Sequence, residues 1–112
     1  MSIQLGSVNP AVTGGANAIA TATSIPSGQA FTRVSAGGAN TAVKLPVDKV
    51  GAMYIVFNNS GSAKNVYPPN AVSDINGAGA GTAVAVADGD VARFIVSPNS
   101  ALGAGAVQYY SC

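Results

Sequence analysis

The sequence contains no histidine, no glutamate and no tryptophan, and charged side chains make up only 8% of its 112 residues. Histidine is the usual proton carrier at neutral pH and the usual activator of a serine nucleophile, so its absence removes the common forms of acid–base and triad catalysis. The 4 acidic side chains are all aspartate: Asp48, Asp74, Asp88 and Asp90. We therefore predict a protein that is not an enzyme.

Positive charge is also scarce, because 5 lysine and arginine residues leave a formal net charge of only +1. No two of them are adjacent, whereas a nucleic-acid surface needs several cations on one face, so we expect no nucleic-acid partner. The only cysteine is Cys112, which rules out a disulfide within the chain. No metal or cofactor is expected: Asp88-Gly89-Asp90 lacks the further ligands of a calcium loop, and after Gly77 and Gly79 the third glycine of a dinucleotide loop is replaced by Thr82.

Long apolar segments are missing as well. The longest uninterrupted run is residues 52–57, whereas a membrane-spanning helix needs about 20 such residues. The first residues show neither the basic region nor the apolar core of a signal peptide. We expect neither a membrane partner nor a secretory route.

What the sequence does contain is alanine and β-branched residues. Alanine supplies 21 residues and valine, isoleucine and threonine together 26, against 3 leucines. Such β-branched side chains lose rotamer freedom in a helix but pack well on a pleated sheet. From residue 29 onward, short alternating segments are separated by turn residues, a pattern typical of a sandwich or barrel. We predict an all-β fold: a compact antiparallel β-sandwich or barrel in residues 28–112, with an extended N-terminal arm in residues 1–27.

The predicted arm is rich in alanine, threonine, glycine and asparagine. Every even position from 16 to 22 is alanine, and this period of two predicts an extended strand with a flat face. A flat alanine face permits close approach by another sheet, so we expect the arm to become ordered on a neighbouring subunit, an unstructured tail being the alternative. Ile19 and Thr21, at odd positions of this segment, are candidate contact residues.

The strongest predicted strand, residues 52–57, is apolar on both faces. Tyr54 and Val56 occupy one face, and Met53, Ile55 and Phe57 occupy the other. A strand with two apolar faces is central in a sheet or lies at a subunit contact. We therefore predict that Tyr54 and Val56 are interface residues.

Two further patterns concern the second half of the chain. Tyr109 and Tyr110 are adjacent, so they point to opposite faces of a strand. We expect one of them to enter the core and the other, Tyr110, to face solvent or a partner. Asp88-Gly89-Asp90 separates two alternating segments and predicts a β-hairpin turn.

An ordered series of short segments resembles one known family. The segments are VKLP at 43–46, GAMYIVFNN at 51–59, VYP at 66–68, ING at 75–77, VAVADGD at 84–90, and Phe94. This series resembles a small β-domain of structural proteins of tailed bacteriophages, found in capsid decoration (cement) proteins and in tail or fibre components. The resemblance covers residues 41–97. The family domain commonly has a tryptophan near its end, where this chain has Tyr109-Tyr110.

The resemblance implies a non-enzymatic virion structural protein, most like a capsid decoration protein. Such proteins are typically homotrimers that bridge neighbouring capsomers and stabilise the head. The implied partners are further copies of this chain and the major capsid protein of a tailed phage. The implied location is the capsid surface, after a period in the host cytoplasm. A head-fibre or tail-associated module stays open as an alternative, as does a receptor- or carbohydrate-binding β-module.

Overall fold

The computed structural model describes residues 7–97 and 106–111, with side chains from residue 13 onward. In this part of the chain the regular secondary structure consists of strands alone, which confirms the all-β prediction. In chain order they are β1 (Ser7–Thr13), β2 (Gly15–Ala16), β3 (Thr23–Ser24), β4 (Gln29–Ala36), β5 (Thr41–Lys44), β6 (Met53–Asn58), β7 (Lys64–Tyr67), β8 (Asp74–Ile75), β9 (Val84–Val86), β10 (Val91–Ser97) and β11 (Gln108–Ser111).

The strands form two sheets that pack as a sandwich. The first sheet has six strands in the order β1-β4-β6-β10-β11-β8. The second has the order β2-β5-β7-β9, and β3 also pairs with β5. From β4 to β10 the chain crosses to the other sheet after each strand, so β4 and β6, and likewise β5 and β7, are parallel neighbours. Both sheets are therefore mixed, which corrects the expectation of a purely antiparallel sandwich.

The core lies between the sheets and receives side chains from both of them. Its fully buried members include Val34, Val56 and Phe94 from the first sheet and Val43 and Val66 from the second. Alternation along each strand accounts for this, because every second side chain points to the same face. The short, branched residues that suggested strands thus also fill the space between the sheets.

The turn at Asp88-Gly89-Asp90 does not make a hairpin, so that prediction was wrong. The strand before it, β9, pairs with β7 in the second sheet, and the strand after it, β10, pairs with β6 in the first. The turn is held by long-range bonds: Gly89 N donates to Asn58 O at 2.6 Å, and Gly61 N donates to Asp88 Oδ1 at 2.9 Å. It therefore connects the two sheets at one end of the sandwich.

The described part of the predicted arm pairs with strands of its own chain. β1 runs parallel to β4, and β2 and β3 both pair with β5. Between β2 and β3 the chain makes a turn, in which Ala22 N donates to Ala18 O at 2.8 Å. The extended strand predicted for 16–22 was therefore wrong beyond Ala16. Alanine is a strong helix former, and its small side chain does not restrict the backbone to an extended conformation. The spacing of the alanines alone therefore did not determine the structure of this segment.

Candidate interaction surface

The outer face of the first sheet carries an ordered grid of apolar side chains. Burial alternates along β4, β6 and β10, so one set of side chains enters the core and the other points away from it. Strand pairing places the outward set in three rows: Arg33, Phe57 and Val91; Phe31, Ile55 and Arg93; Met53, Ile95 and Tyr110. We call these residues the outer sheet face.

Apart from the two arginines, every member of the outer sheet face is apolar or aromatic. Val91 is 55% exposed, Tyr110 51% and Ile95 37%, and the remaining apolar members are half-buried. Strands spaced about 4.8 Å apart with a rise of about 3.3 Å per residue give the grid an area of roughly 300 Å². The largest exposed apolar patch on a typical monomer is about 300–600 Å² and is often functional, so a face of this size is a candidate interaction site.

The outer side of the second sheet is different in character. Asn65 and Tyr67 point outward from β7, and the side chain of each donates a hydrogen bond of 2.9 Å to Asn17 Oδ1. Asn17 opens the turn between β2 and β3, so this turn is fastened to the second sheet by polar contacts. The two outer faces of the sandwich are therefore unequal, and the apolar one belongs to the first sheet.

The charges around the outer sheet face are also unevenly distributed. Arg33 and Arg93 are both exposed, and the Nε of Arg33 donates to Asn59 Oδ1 at 3.2 Å. In residues 13–97 and 106–111, no carboxylate forms an ion pair with either guanidinium. The two aspartates with exposed side chains, Asp88 and Asp90, belong to the turn that precedes β10. The face is thus apolar with two positive charges, and a pair of negative charges lies at its end.

Tyr54 and Val56, which the sequence assigned to an interface, are 2% and 0% exposed and lie in the core. Both faces of β6 are apolar, so the sequence does not say which one turns inward. The contacts of the Tyr54 hydroxyl help to fix which face turns inward. Inside the fold this hydroxyl donates to Asp48 Oδ2 and accepts a bond from Gly28 N at 3.0 Å. The outward residues of β6 are the three that the sequence had placed opposite Tyr54.

The other predicted contact residues lie in two separate places. Ile19 is half-buried and Thr21 exposed, and both are in the turn on the second sheet, where the Thr21 hydroxyl donates to Ala16 O at 3.2 Å. Tyr110 lies on the outer sheet face, while Tyr109 is fully buried, as the alternation predicted. The alternation Val91, Arg93, Ile95 in the sequence was the available signal for the rest of this face.

Asp48 and Tyr54 are joined by a hydrogen bond, and the pKa of each is shifted from its usual value. The hydrogen bond from Tyr54 is the main reason why the pKa of Asp48 is lowered, and the backbone N–H of Lys49 adds to it. Burial is the main reason why the pKa of Tyr54 is raised. A cavity of about 100 Å³ beside them is lined by Gly28, Ala30, Asp48, Ala52, Met53 and Tyr54. Through these contacts Tyr54 joins the loop that contains Asp48 to the backbone at Gly28.

Within the described ranges, no group of three histidine, cysteine, aspartate or glutamate side chains is placed to hold a metal ion. The same residues include no helix with the length and apolar character needed to cross a membrane. Cys112 lies outside the described residues. Comparison with protein-family models, with curated proteins and with solved structures found no match to this chain.

Proposed function

We propose that this chain is a non-enzymatic structural protein of a tailed-phage virion, a capsid decoration protein that trimerises and bridges neighbouring capsomers. The observation that carries the proposal is the outer sheet face, an apolar surface on a small domain with few charges. A protein fixed in a large assembly by contact area needs such a surface, and apolar burial supplies the main favourable term in association.

The sequence resemblance supports the same role. Its segments lie in or beside strands β5, β6, β7, β8 and β9 and in the turn that leads into β10, so they contribute to both sheets rather than to one loop. The chemistry of the chain points in the same direction, because it has no histidine or glutamate and its described part has no metal-ligand cluster. We expect binding and support, rather than catalysis, from such a domain.

The proposed mechanism is stabilisation by mass action. A protein that binds the assembled shell and not its separated subunits stabilises the shell by RT ln(1 + [L]/Kd), about 2.7 kcal/mol per site when its concentration is about 100 times Kd. The stabilisation free energies of the many sites on one shell add together. A trimer that touches several capsomers also holds each contact at a high effective concentration once the first has formed.

The experiment compares particles made with and without this chain. Particles that lack it should assemble and then release their DNA at a lower temperature than complete particles. Adding the purified chain back should restore the higher release temperature, with saturation at a fixed number of copies per particle. Equal release temperatures with and without the chain, or no saturable binding, would refute the proposal.

A further inference from the structure

We infer that the outer sheet face is covered by a second copy of this chain, whose Asp88–Asp90 turn lies against Arg33 and Arg93. This inference specifies the surface of the proposed self-association and rests on that part of the proposed function. It starts from the charges that the fold leaves unpaired. Both arginines on the face are exposed, and neither forms an ion pair in the described part of the chain.

The aspartates of the chain divide into two groups. Asp48 accepts hydrogen bonds from Tyr54 and Lys49 N, and Asp74 is buried and accepts bonds from Gly77 N at 2.7 Å and Gln108 Nε2 at 3.1 Å. These two carboxylates are therefore used inside the fold. The exposed carboxylates that remain for a partner are those of the inter-sheet turn, Asp88 and Asp90.

The charges on the outer sheet face and on the Asp88–Asp90 turn favour a contact between the face of one copy and the turn of another. Two copies that laid their outer sheet faces directly on one another would bury four arginines in one interface to which neither face brings a carboxylate, and unpaired like charges in an interface are costly. A contact between the face of one copy and the acidic turn of another pairs opposite charges and buries apolar surface at once. In a cyclic trimer each copy gives its face to one neighbour and its turn to the other.

The area of the face shows that further contacts must complete the interface. A grid of roughly 300 Å² is smaller than the 800 Å² or so that each partner buries in a stable interface. The face therefore supplies an apolar centre, and a polar, charged rim must complete the contact. The turn is well suited to be part of that rim, since bonds to Asn58 and from Gly61 N hold its backbone and one carboxylate in place.

The test is sedimentation equilibrium of the purified full chain over a range of concentrations, with matched variants. Val91→Asp, on the face, is compared with Val72→Asp, because the two valines are 55% and 51% exposed and Val72 lies outside the face. We expect Val91→Asp to weaken self-association about 30-fold or more and Val72→Asp to leave it unchanged. Circular dichroism verifies that each variant is folded.

Charge reversal tests the pairing itself. Arg93→Glu should weaken association about 10-fold, whereas Lys49→Glu, the same charge change at an exposed lysine elsewhere, should not. Asp90→Arg alone should also weaken it, and combining Asp90→Arg with Arg93→Glu in one chain should restore it. Failure of the combination to restore association would overturn the role of the turn.

The remaining outcomes separate this inference from the proposed function. A wild-type oligomer that is unaffected by Val91→Asp and Arg93→Glu would overturn the assigned surface and leave the decoration role standing. A wild-type chain that is monomeric at every concentration would overturn both the surface and the trimer. If such a monomer still bound particles and lost binding with Val91→Asp, the face would belong to the shell protein instead of a second copy.

Discussion

Replacing Tyr54 with phenylalanine removes one hydroxyl that joins two loops. This hydroxyl donates to the carboxylate of Asp48 and accepts the N–H of Gly28 at 3.0 Å. The bond to a carboxylate is charge-assisted and contributes about 1.5–3 kcal/mol, and the part-buried bond from Gly28 N contributes about 1 kcal/mol. Water can hydrate Asp48 once the hydroxyl is gone, which reduces the loss. We expect Tyr54→Phe to lower the free energy of unfolding by about 2–3 kcal/mol.

Tyr109 provides the matched control. Its ring contacts that of Tyr54 edge to face, with the centroids 6.3 Å apart, and its hydroxyl makes one neutral bond, to Pro46 O at 2.6 Å. Tyr109→Phe should therefore cost about 1 kcal/mol. The assay is urea unfolding followed by far-ultraviolet circular dichroism at one fixed protein concentration. Equal destabilisation by the two substitutions would refute the assignment of a charge-assisted bond to Tyr54.

The pH dependence of the Tyr54→Phe effect gives a second result from the same protein. Because the folded-state pKa of Asp48 is lowered, its contribution to stability is complete above the unfolded value of about 3.9 and is lost as the pH falls through the folded pKa. The difference between wild type and Tyr54→Phe should therefore shrink below about pH 4. Burial raises the pKa of Tyr54, so its contribution is complete below about pH 10 and is lost as the pH rises through the folded pKa. A difference that stayed constant down to pH 2 would contradict this reasoning.

Three further tests concern the contacts that hold loops and short strands in place. Asp74→Ala removes the acceptor of two loop N–H groups and a side-chain amide and should cost about 2–3 kcal/mol in urea unfolding, whereas the exposed Asp90→Ala should change stability by less than about 0.5 kcal/mol. Gly15→Ala would place a Cβ 2.5 Å from a backbone oxygen and should lower the thermal midpoint, while Gly38→Ala, with open space around it, should not. Asn17→Ala breaks two side-chain bonds of 2.9 Å and should increase proteolytic cleavage of the turn between β2 and β3 with little change in global stability.

The sequence predicted the class of fold because that information is local. Alternation along β6 and β10 and the turn residues between strands indicated short strands, and the adjacent pair Tyr109 and Tyr110 was correctly divided between core and surface. The pairing of strands was not local. β9 and β10 look like a hairpin in sequence, yet Asp88 and Gly89 bond to residues near the end of β6 and send the chain to the other sheet.

The two residues of β6 that the sequence assigned to an interface, Tyr54 and Val56, are buried in the core, and the other face of the strand turns outward. Both sides of β6 are apolar, so the periodicity could not say whether Tyr54 or Ile55 turns outward. The deciding contacts of Tyr54 come from Asp48 and Gly28, and only the folded chain brings them to the same place. The extended strand predicted for 16–22 was wrong beyond Ala16 for a related reason, since the alanine side chain does not enforce an extended backbone.

The most direct measurement is quantitative mass spectrometry of purified particles from the source lysate, reporting copies of this chain per copy of the major shell protein. The proposed role predicts a ratio near one, because a decoration protein is distributed over the whole capsid surface. A ratio of a few per cent would contradict it and indicate a tail or fibre component. Absence from particles would remove the virion role and favour a receptor- or carbohydrate-binding module.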